Sequence, residues 1–563
     1  MDTLLVLIPT LPLALYVLSA LLGTLFARRL GRRVARLSVT FSVLAFGAAA
    51  LSLATYIGVG ETRWFGSGGA WGSVYLDPLS AIMGVVVAGI SMVVHVYGRR
   101  YMAEEPGYAR FYALLDGMSA SILLMVAAGD LITLVAAWHL IGVFLYFLLG
   151  HDTERTASQR YAFWTFFTYR MGDLPLVLAA ILLYQAYGTW SLPAIFDALT
   201  AAPDAHTVFG FGLADVVALL VALAAFARSA QFPLHTWLPY SMEGPTPVSA
   251  LMHAGIVNAG GFILNRFAPV FVYSGEVLHL VFAVGLVTAI LGSVLMLTQN
   301  DIKKALGYST MGQMGFMFVE VGVGAFSLAI YHLIAHGLFK GTMFLGAGGV
   351  IGDARRHDGV PHEDVYTFVV ERRPAASRLP WLVAGVLTVA VPFAILGLSH
   401  WVVDGGAVGQ QGALVLLFFG WVTGAQLILS TWHLKAENPL KLMAMIIVSL
   451  AVVVAGYTLI EHNFDLFLYP DRALSEGLYA AASVPMWLFG VLVAVLTLAV
   501  VSGWAAAFYA QSAAEGGRSR GVKARLMLYS LISREFYVAD VYTRLTQIAL
   551  GLSKRLNVWA RWI

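Results

Sequence analysis

Apolar runs of about 20 residues recur along the whole sequence, and each is long enough to cross the hydrocarbon core of a bilayer. Because a bilayer offers no water to pair with the backbone, such segments have to be helical. The runs predict about 16 spanning helices, at 4–26, 36–57, 79–97, 110–128, 131–150, 160–186, 209–238, 245–271, 276–298, 303–323, 326–351, 379–405, 409–431, 441–463, 483–509 and 535–560. The expected fold class is an all-α polytopic membrane protein.

The composition agrees with this class and excludes several functions. Of the 563 residues, 59% are hydrophobic and only 12% are charged, which is not the balance of a soluble domain. The chain has no cysteine, so disulfides, thiol catalysis and iron–sulfur ligation are excluded. The net charge of +3 is small and scattered, so nucleic acid is not an expected partner. No cofactor and no catalytic site are expected in this chain.

The basic residues indicate the orientation of the predicted helices. With the N-terminus outside, the loops that follow odd-numbered helices are cytoplasmic, and they carry 24 of the 34 lysines and arginines. The opposite loops carry Arg63, Arg266 and Arg472. This bias favours an even number of spans, with the N-terminus outside a bacterial inner membrane and the basic loops beside anionic lipids. The first run is too long for a signal-peptide core and is taken as a spanning helix.

Two predicted helices are interrupted. The seventh breaks near 229–233 and the twelfth near Pro392 and Gly397, since proline removes a backbone donor and kinks a helix. Each lies fourth in a block of five helices, which is typical of inverted transporter repeats. The predicted organisation is helices 1–3 in 1–105, a first five-helix repeat in 106–272, a second in 273–432, and helices 14–16 in 433–563.

Several ionisable residues fall inside the predicted spans, where each costs a few kcal/mol unless it is paired or hydrated. They include His139, Arg170, Asp173, Arg228, His253, His332, His336, Lys340 and His400. Hydrogen bonds between helices, or snorkelling near helix ends, could account for any single one of them. Nine such residues on successive helices favour an ion path.

The spacing of three of these residues supports a path. His332, His336 and Lys340 recur every four residues, which places them on one helix face. A polar stripe on an apolar helix is typical of a wet path or a proton relay. Two histidines at this spacing could also bind a metal, but the sequence shows no third ligand nearby, so no metal site is expected.

Three further residues suggest a charged group. Arg170 and Asp173 are three residues apart and can pair on one helix face, either as a structural ion pair or as part of the path. Arg228 lies at the break of the seventh helix and remains protonated, so it cannot itself carry a proton. It could instead pair with a carboxylate.

The residues around the seventh and eighth helices resemble a known family. Segments 229–239 (SAQFPLHTWLP) and 242–254 (MEGPTPVSALMHA) are similar to the core of the proton-conducting antiporter-like family. That family includes the large distal membrane subunit of respiratory complex I and the Mrp-type antiporter subunits. Further matches lie at 76–80, at 301–311, along the helix of His332, and at 536–542. The resemblance implies 14 or more helices, two inverted five-helix repeats, and a central polar axis for ions.

Four positions of that axis can be carried over to this chain. The family has a glutamate in the fifth helix, a lysine in the seventh, a histidine or lysine in the eighth, and a lysine or glutamate in the twelfth. The resemblance places His139, Arg228, His253 and His400 there, and all but His253 depart from the pattern. A histidine beside a fixed arginine would bring two cations together, so His139 and Arg228 are expected to repel each other.

The C-terminal region indicates which branch of this family the chain resembles most. Only about 25 residues separate the last two predicted helices, too few for the long lateral helix of the complex I subunit. The chain therefore most resembles the membrane subunit of the DAB-type inorganic-carbon uptake systems. In that family a large cytoplasmic partner, of the DabA type, resembles a zinc β-carbonic anhydrase. The resemblance implies that any zinc lies in the partner.

The expected function is a cation-conducting subunit, with protons as the favoured ion, that energises bicarbonate formation by the partner. Protons would enter from outside and reach the partner near His139 and Arg228, after passing His253, Lys340, His336, His332 and His400. Three alternatives remain open: a proton-pumping subunit of a complex I-type oxidoreductase, a component of an Mrp-type Na⁺/H⁺ antiporter, and an inert membrane anchor.

Overall fold

The structure is a computed structural model that describes residues 2–60, 62–65, 72–299, 301–356, 462–485 and 529–560, with a few scattered positions from 394 to 527. The chain divides into two compact units. One comprises 1–322, 332–348 and 520–563, and the other comprises 323–331 and 349–519. The predicted break near Pro392, and His400, lie outside the described residues. The four-block organisation stays a prediction.

Helices account for nearly all of the described chain. In chain order they are α1 (Asp2–Leu25), α2 (Ala27–Leu30), α3 (Val34–Val59), α4 (Pro78–Tyr101), α5 (Tyr108–Ala127), α6 (Leu131–Leu149), α7 (Thr156–Tyr187), α8 (Leu192–Ala201), α9 (Leu213–Arg228), α10 (Trp237–Tyr240), α11 (Thr246–Ala254), α12 (Ala259–Arg266), α13 (Ala268–Phe271), α14 (Gly275–Leu297), α15 (Ile302–Gly322), α16 (Phe326–Arg356), α17 (Arg472–Ala481) and α18 (Val538–Ala560). Two small antiparallel hairpins pair β1 (Arg63–Phe65) with β2 (Val74–Leu76), and β3 (Thr207–Val208) with β4 (Phe211–Gly212).

Eight helical segments of the described chain are long and apolar enough to cross a membrane, which confirms the all-α polytopic class. They are Ala27–Val59, Pro78–Tyr101, Tyr108–Ala127, Leu131–Leu149, Thr156–Tyr187, Thr246–Arg266, Gly275–Leu297 and Phe326–Gly346. The last predicted span coincides with α18, which is not among the eight. Four charged side chains, at Asp540, Arg544, Lys554 and Arg555, make α18 amphipathic.

The predicted break in the seventh helix is present. Residues 229–236, between α9 and α10, are not helical. The backbone N–H of Phe232 donates to the Thr288 hydroxyl at 3.0 Å, and Trp237 Nε1 donates to the carbonyl of Ala227 at 3.1 Å. The backbone groups that the break exposes therefore find partners inside the protein, as an irregular segment at membrane depth requires.

The eighth predicted span is interrupted as well, which the sequence did not predict. A 3₁₀ turn, Ile256–Asn258, separates α11 from α12 and follows Gly255. The Asn258 side chain donates to the carbonyl of Ala254 at 2.8 Å, which satisfies the end of α11. His253 therefore lies in the last turn of α11, close to a helix end.

Glycines set the contact between α14 and α15. A Cβ at Gly315 would overlap the backbone of Ala289, and a Cβ at Gly292 would overlap the backbone of Gly312. Small residues allow two membrane helices to approach backbone to backbone, where dispersion contacts stabilise the pair. α15, which carries several polar side chains described below, is thereby fixed against α14.

A buried ion pair ties the end of α12 to the start of α4. Asp77 caps α4 by accepting the Ser80 N–H at 2.8 Å, and it pairs with Arg266 Nη1 at 2.7 Å. Arg266 is 4% exposed and also donates to the carbonyl of Val126 in α5. The pattern of basic residues predicted that Arg266 lies in a loop. This prediction is wrong, because Arg266 lies at the end of α12 inside the protein, where Asp77 neutralises its charge.

Candidate functional site

One carboxylate on α7 contacts basic side chains from three helices. Asp173 is 7% exposed, and its Oδ2 lies 2.9 Å from Nη2 of Arg170, one helical turn earlier. The same oxygen lies 2.9 Å from Nδ1 of His139 on α6. Its Oδ1 lies 3.6 Å from Nη2 of Arg228, at the end of α9. The pair between Arg170 and Asp173 that the spacing suggested is present, within a larger group that we call the Asp173 cluster: His139, Arg170, Asp173 and Arg228.

Arg228 is the most enclosed member of the Asp173 cluster. It is 1% exposed, and its guanidinium carbon lies 4.2 Å from the ring of Trp138 and 4.1 Å from the ring of Tyr169. Its Nη2 also donates to the carbonyl of Trp138 at 2.7 Å. Two aromatic faces and a carbonyl stabilise a cation that burial would otherwise penalise.

His139 is the accessible member of the cluster, since half of its side chain is exposed. Nη1 of Arg170 lies 2.8 Å and 3.0 Å from its two ring nitrogens, so the guanidinium stands over the face of the ring. The sequence predicted repulsion between His139 and Arg228, but the structure places a carboxylate in contact with both side chains. The carboxylate of Asp173 contacts both, and it supplies the negative charge that the resembled family carries one helix away as a glutamate.

A second group of polar side chains joins α15 to α16. His332 places Nδ1 2.9 Å from Oε1 of Glu320 and Nε2 3.0 Å from Oε1 of Gln313. The sequence pattern did not point to Glu320. No carboxylate was expected near His332, His336 and Lys340, which we call the histidine stripe. Glu320 lies in the tenth predicted span and is 8% exposed, so the rule that found the nine ionisable residues applied to it as well.

The histidine stripe of α16 faces α15. This agrees with the four-residue spacing, which predicted that its members share one helix face. Nζ of Lys340 donates to the Ser309 hydroxyl at 2.7 Å, and Lys340 is 2% exposed. His336 lies between His332 and Lys340 along α16, and its ring centroid is 6.2 Å from that of His332. Neither ring nitrogen of His336 has a hydrogen-bond partner among the residues that the structure describes.

His253 extends this group from α11. Its Nδ1 lies 3.0 Å from the Thr310 hydroxyl, and its ring stacks on Phe344 at 4.2 Å. Thr310 donates its own proton to the carbonyl of Leu306, so it can only accept from His253. His253 therefore carries its proton on Nδ1, and the lone pair of Nε2 is left for another donor.

The structure thus brings eight of the nine predicted residues into two groups, and the ninth, His400, lies outside the described residues. The first group is the Asp173 cluster. The second, which we call the α15–α16 row, comprises His253, Ser309, Thr310, Gln313, Glu320, His332, His336 and Lys340. Within the described part of the chain, no three His, Asp or Glu side chains are placed to hold a metal ion.

Two family descriptions match this sequence. The membrane region of the NADH:quinone oxidoreductase/Mrp antiporter family matches residues 128–420, which contain the whole Asp173 cluster. The N-terminal region of chain 5 of NADH-ubiquinone oxidoreductase (complex I) matches residues 66–112.

Individual proteins are similar over different lengths. The "probable inorganic carbon transporter subunit DabB1" of Halothiobacillus neapolitanus is 61% identical over 557 residues, which cover 99% of both chains. The NAD(P)H-quinone oxidoreductase chain 5 of Picosynechococcus sp. is 38% identical over 361 residues. That match covers 62% of this chain and 53% of the cyanobacterial protein.

Two solved structures have a similar fold. The Mrp complex from Dietzia sp. gives a TM-score of 0.55 at 25% identity, covering 99% of this chain and 63% of that one. The membrane-bound sulfane sulfur reductase, an archaeal respiratory complex, gives a TM-score of 0.59 at 18% identity, covering 84% of this chain and 99% of that one. The second likeness bears on the fold alone.

Proposed function

Because this chain belongs to the NADH:quinone oxidoreductase/Mrp antiporter family of membrane subunits, we propose that it is the membrane subunit of an inorganic-carbon transporter. The observation that carries the proposal is the 61% identity to DabB1, which extends over 99% of both chains. The match to the quinone oxidoreductase subunit spans about half of that protein, which favours carbon transport over quinone-linked pumping. The multi-pass chain would lie in a bacterial inner membrane with its N-terminus outside.

We propose that the ion conducted is the proton. Sodium binds to sets of carboxylate, hydroxyl and carbonyl oxygens, whereas four of the eight members of the α15–α16 row, His253, His332, His336 and Lys340, present imidazole or amine nitrogens, which bind protons. The buried nitrogens of His336 and Nε2 of His253 have no protein partner among the described residues. Buried polar atoms of this kind are usually bridged by ordered water, and water between imidazoles is a route for proton hopping.

Within the row, protons would pass between Glu320 and Lys340. His332 exchanges a proton with Glu320 across 2.9 Å, and His336 stands between His332 and Lys340 on the same helix face. Lys340 is held by Ser309, next in the chain to Thr310, which fixes His253.

The Asp173 cluster would control where protons leave the row. Asp173 favours a proton on His139, whereas the permanent charges of Arg170 and Arg228 disfavour a further cation. The 2.9 Å between Nδ1 of His139 and Oδ2 of Asp173 is short enough for a proton to pass between the two groups. Since half of the His139 side chain is exposed, this residue is the natural point of transfer.

The partner is proposed to be a large cytoplasmic subunit that resembles a zinc β-carbonic anhydrase. This chain has no cysteine, so the thiolate ligands of such a zinc have to come from another chain. We expect the purified membrane complex to contain zinc and one large soluble subunit. Metal analysis and mass spectrometry check this, and a set of flavin and iron–sulfur subunits would instead identify a complex I-type oxidoreductase.

Replacing His336 by alanine is expected to reduce inorganic-carbon uptake at least about tenfold, because it removes the middle relay group of the row. Uptake of labelled bicarbonate is measured in cells that depend on this transporter, with and without a protonophore. The protonophore should abolish wild-type uptake and leave the residual uptake of His336→Ala little changed.

His206→Ala is the matched control, since His206 lies on the loop before β3, away from both groups. This variant should take up carbon at the wild-type rate. Full, protonophore-sensitive uptake by His336→Ala would remove the row from the proton path. Wild-type uptake that a protonophore does not affect would argue against proton-driven transport altogether.

A further inference from the structure

Helix α18 has one apolar face that the described part of the chain leaves exposed. Six large apolar side chains, each between 42% and 67% exposed, recur every three or four residues, which places them on one side of the helix. The apolar face of α18 comprises Val541, Leu545, Ile548, Leu552, Leu556 and Trp559. Two further exposed apolar side chains, Leu550 and Val558, lie outside it. An exposed apolar surface of this length marks a contact with a membrane or with another protein.

The rest of α18 is mainly polar, with more basic than acidic side chains. Asp540, Gln547 and Lys554 are exposed and lie seven residues apart, on the side of the helix away from the apolar face. Arg544 and Arg555 are exposed at one edge of that face. Three basic residues against one acidic residue give α18 an excess of positive charge. Its surface therefore suits a partner that is apolar on one side and anionic beside it.

A position across the membrane does not fit this distribution. Gln547 lies near the middle of the 23-residue helix and Arg544 lies three residues before it, and both side chains are exposed. In a spanning helix they would face hydrocarbon, where polar and charged groups are costly. The described helices that are apolar enough to span do not include α18. This argues against the spanning position that the hydropathy pattern predicted for residues 535–560.

A position in water does not fit either, because the apolar face would lose the free energy gained by leaving water. A helix with one apolar face, a basic polar face and low overall hydrophobicity instead lies in the plane of a membrane surface. There the apolar face enters the edge of the acyl chains, and the polar face meets head groups and water. Of these three positions, only the membrane surface suits both sides of α18.

The start of α18 is fixed beside a cluster of tryptophan and tyrosine side chains. The hydroxyls of Tyr542 on α18 and Thr168 on α7 lie 3.2 Å apart, and Trp164 Nε1 donates to the Thr546 hydroxyl at 2.9 Å. The ring of Trp164 lies 5.5 Å from that of Tyr542 and 5.4 Å from that of Tyr240. Tryptophan and tyrosine are enriched where a membrane meets water. The contacts of α18 with α7 therefore have the composition of a membrane interface.

Charged side chains lie beside the same aromatic cluster. Nζ of Lys304, at the start of α15, lies 4.5 Å from the ring of Tyr240. Tyr240 also donates to Glu535 at 3.1 Å, just before α18 begins. Glu243, three residues after Tyr240, pairs with Arg155 at 2.6 Å, and the Arg155 side chain is 57% exposed. Because an exposed ion pair belongs among head groups or water, the start of α18 lies at the membrane surface.

We propose that α18 lies in the surface of the lipid bilayer, with its apolar face in the acyl chains of the leaflet on the side of the basic loops. Arg544 and Arg555, at the edge of that face, reach the head groups with their long side chains. Anionic lipids of that leaflet complement the excess of basic residues. This charge and the level of the contacts with α7 favour lipid over a protein partner. The proposal does not depend on what the chain transports.

The position of α18 is tested with a nitroxide label on a single introduced cysteine, since the chain has no cysteine of its own. Leu552→Cys labels the apolar face, and Gln547→Cys is the matched control on the other side of the helix. Both positions are exposed, so neither label displaces a packed side chain. The full chain, with any subunit that co-purifies, is reconstituted in vesicles of phosphatidylethanolamine and phosphatidylglycerol.

Electron paramagnetic resonance then measures how often each label collides with oxygen, which concentrates in hydrocarbon, and with a nickel chelate, which stays in water. We expect the ratio of oxygen to nickel collisions to be at least about tenfold higher at position 552 than at position 547, because the two lie on different faces of a surface helix.

Three other results would each overturn the proposal. A high ratio at both positions would mean that α18 crosses the membrane, and a low ratio at both would place it in water. A label at position 552 that neither oxygen nor nickel reaches would mean that protein covers the apolar face. The measurement does not use carbon uptake, so a chain that fails the uptake tests could still show the expected ratio and retain its surface helix.

Discussion

Asp173→Asn is expected to abolish carbon uptake and to lower the free energy of unfolding by about 3–5 kcal/mol, the usual cost of leaving a buried charge without its partner. Asparagine keeps the size of the side chain but removes the charge that contacts His139, Arg170 and Arg228. Arg228 would lose the most stabilisation, because it is 1% exposed and remains charged. Thermal unfolding in detergent and uptake of labelled bicarbonate measure the two effects.

Asp197→Asn provides the control, since Asp197 is an exposed carboxylate on the short helix α8. It should leave both stability and uptake unchanged. Asp173→Glu should restore much of the stability, because the charge is kept, while uptake recovers only as far as the longer side chain allows. An Asp173→Asn protein with wild-type uptake would show that the cluster is structural, and the proposed exit near His139 would then be wrong.

Lys340→Met is expected to stop uptake while leaving the protein folded. Methionine has a similar length and is easily accommodated in an apolar interior, so the change removes the amine and little else. The lost amine is the group that contacts Ser309 and ends the histidine stripe. We expect uptake to fall at least about a hundredfold, in the range of an essential proton-transfer group, with the protein still eluting as a single species on size-exclusion chromatography.

Lys303→Met makes the same chemical change at the start of α15. Lys303 is half-buried and contacts the carbonyl of Met242 at 3.5 Å, outside the α15–α16 row. It should retain most of the uptake. Equal losses in the two variants would mean that positive charge in general, and not the amine at position 340, limits transport.

Local sequence rules predicted much of this molecule. Hydropathy placed eight of the spans within the described residues, proline placed the break in the seventh helix, and a spacing of three residues suggested the pair of Arg170 and Asp173. A spacing of four residues also put the histidine stripe on one face. Each of these follows from interactions within a single helix, which a sequence displays directly.

The remaining features depend on contacts between helices, which spacing along one helix does not show. That Asp173 also binds His139 and Arg228 depends on how α6, α7 and α9 pack. No proline next to Gly255 predicts the interruption there, which the Asn258 side chain stabilises. The partnership of Glu320 with His332 spans two helices, although Glu320 itself was visible as a carboxylate in an apolar run.

The glycine contacts between α14 and α15 bear on how this region can move. Two helices that touch backbone to backbone, as at Gly315 and Gly292, have no side chains between them to deform, so they shift together as a rigid body. Any widening of the space beside Ser309 then has to come from the α16 side, where the contacts are made by the long, flexible side chain of Lys340. An opening of the α15–α16 row would therefore displace α16 relative to a rigid pair formed by α14 and α15.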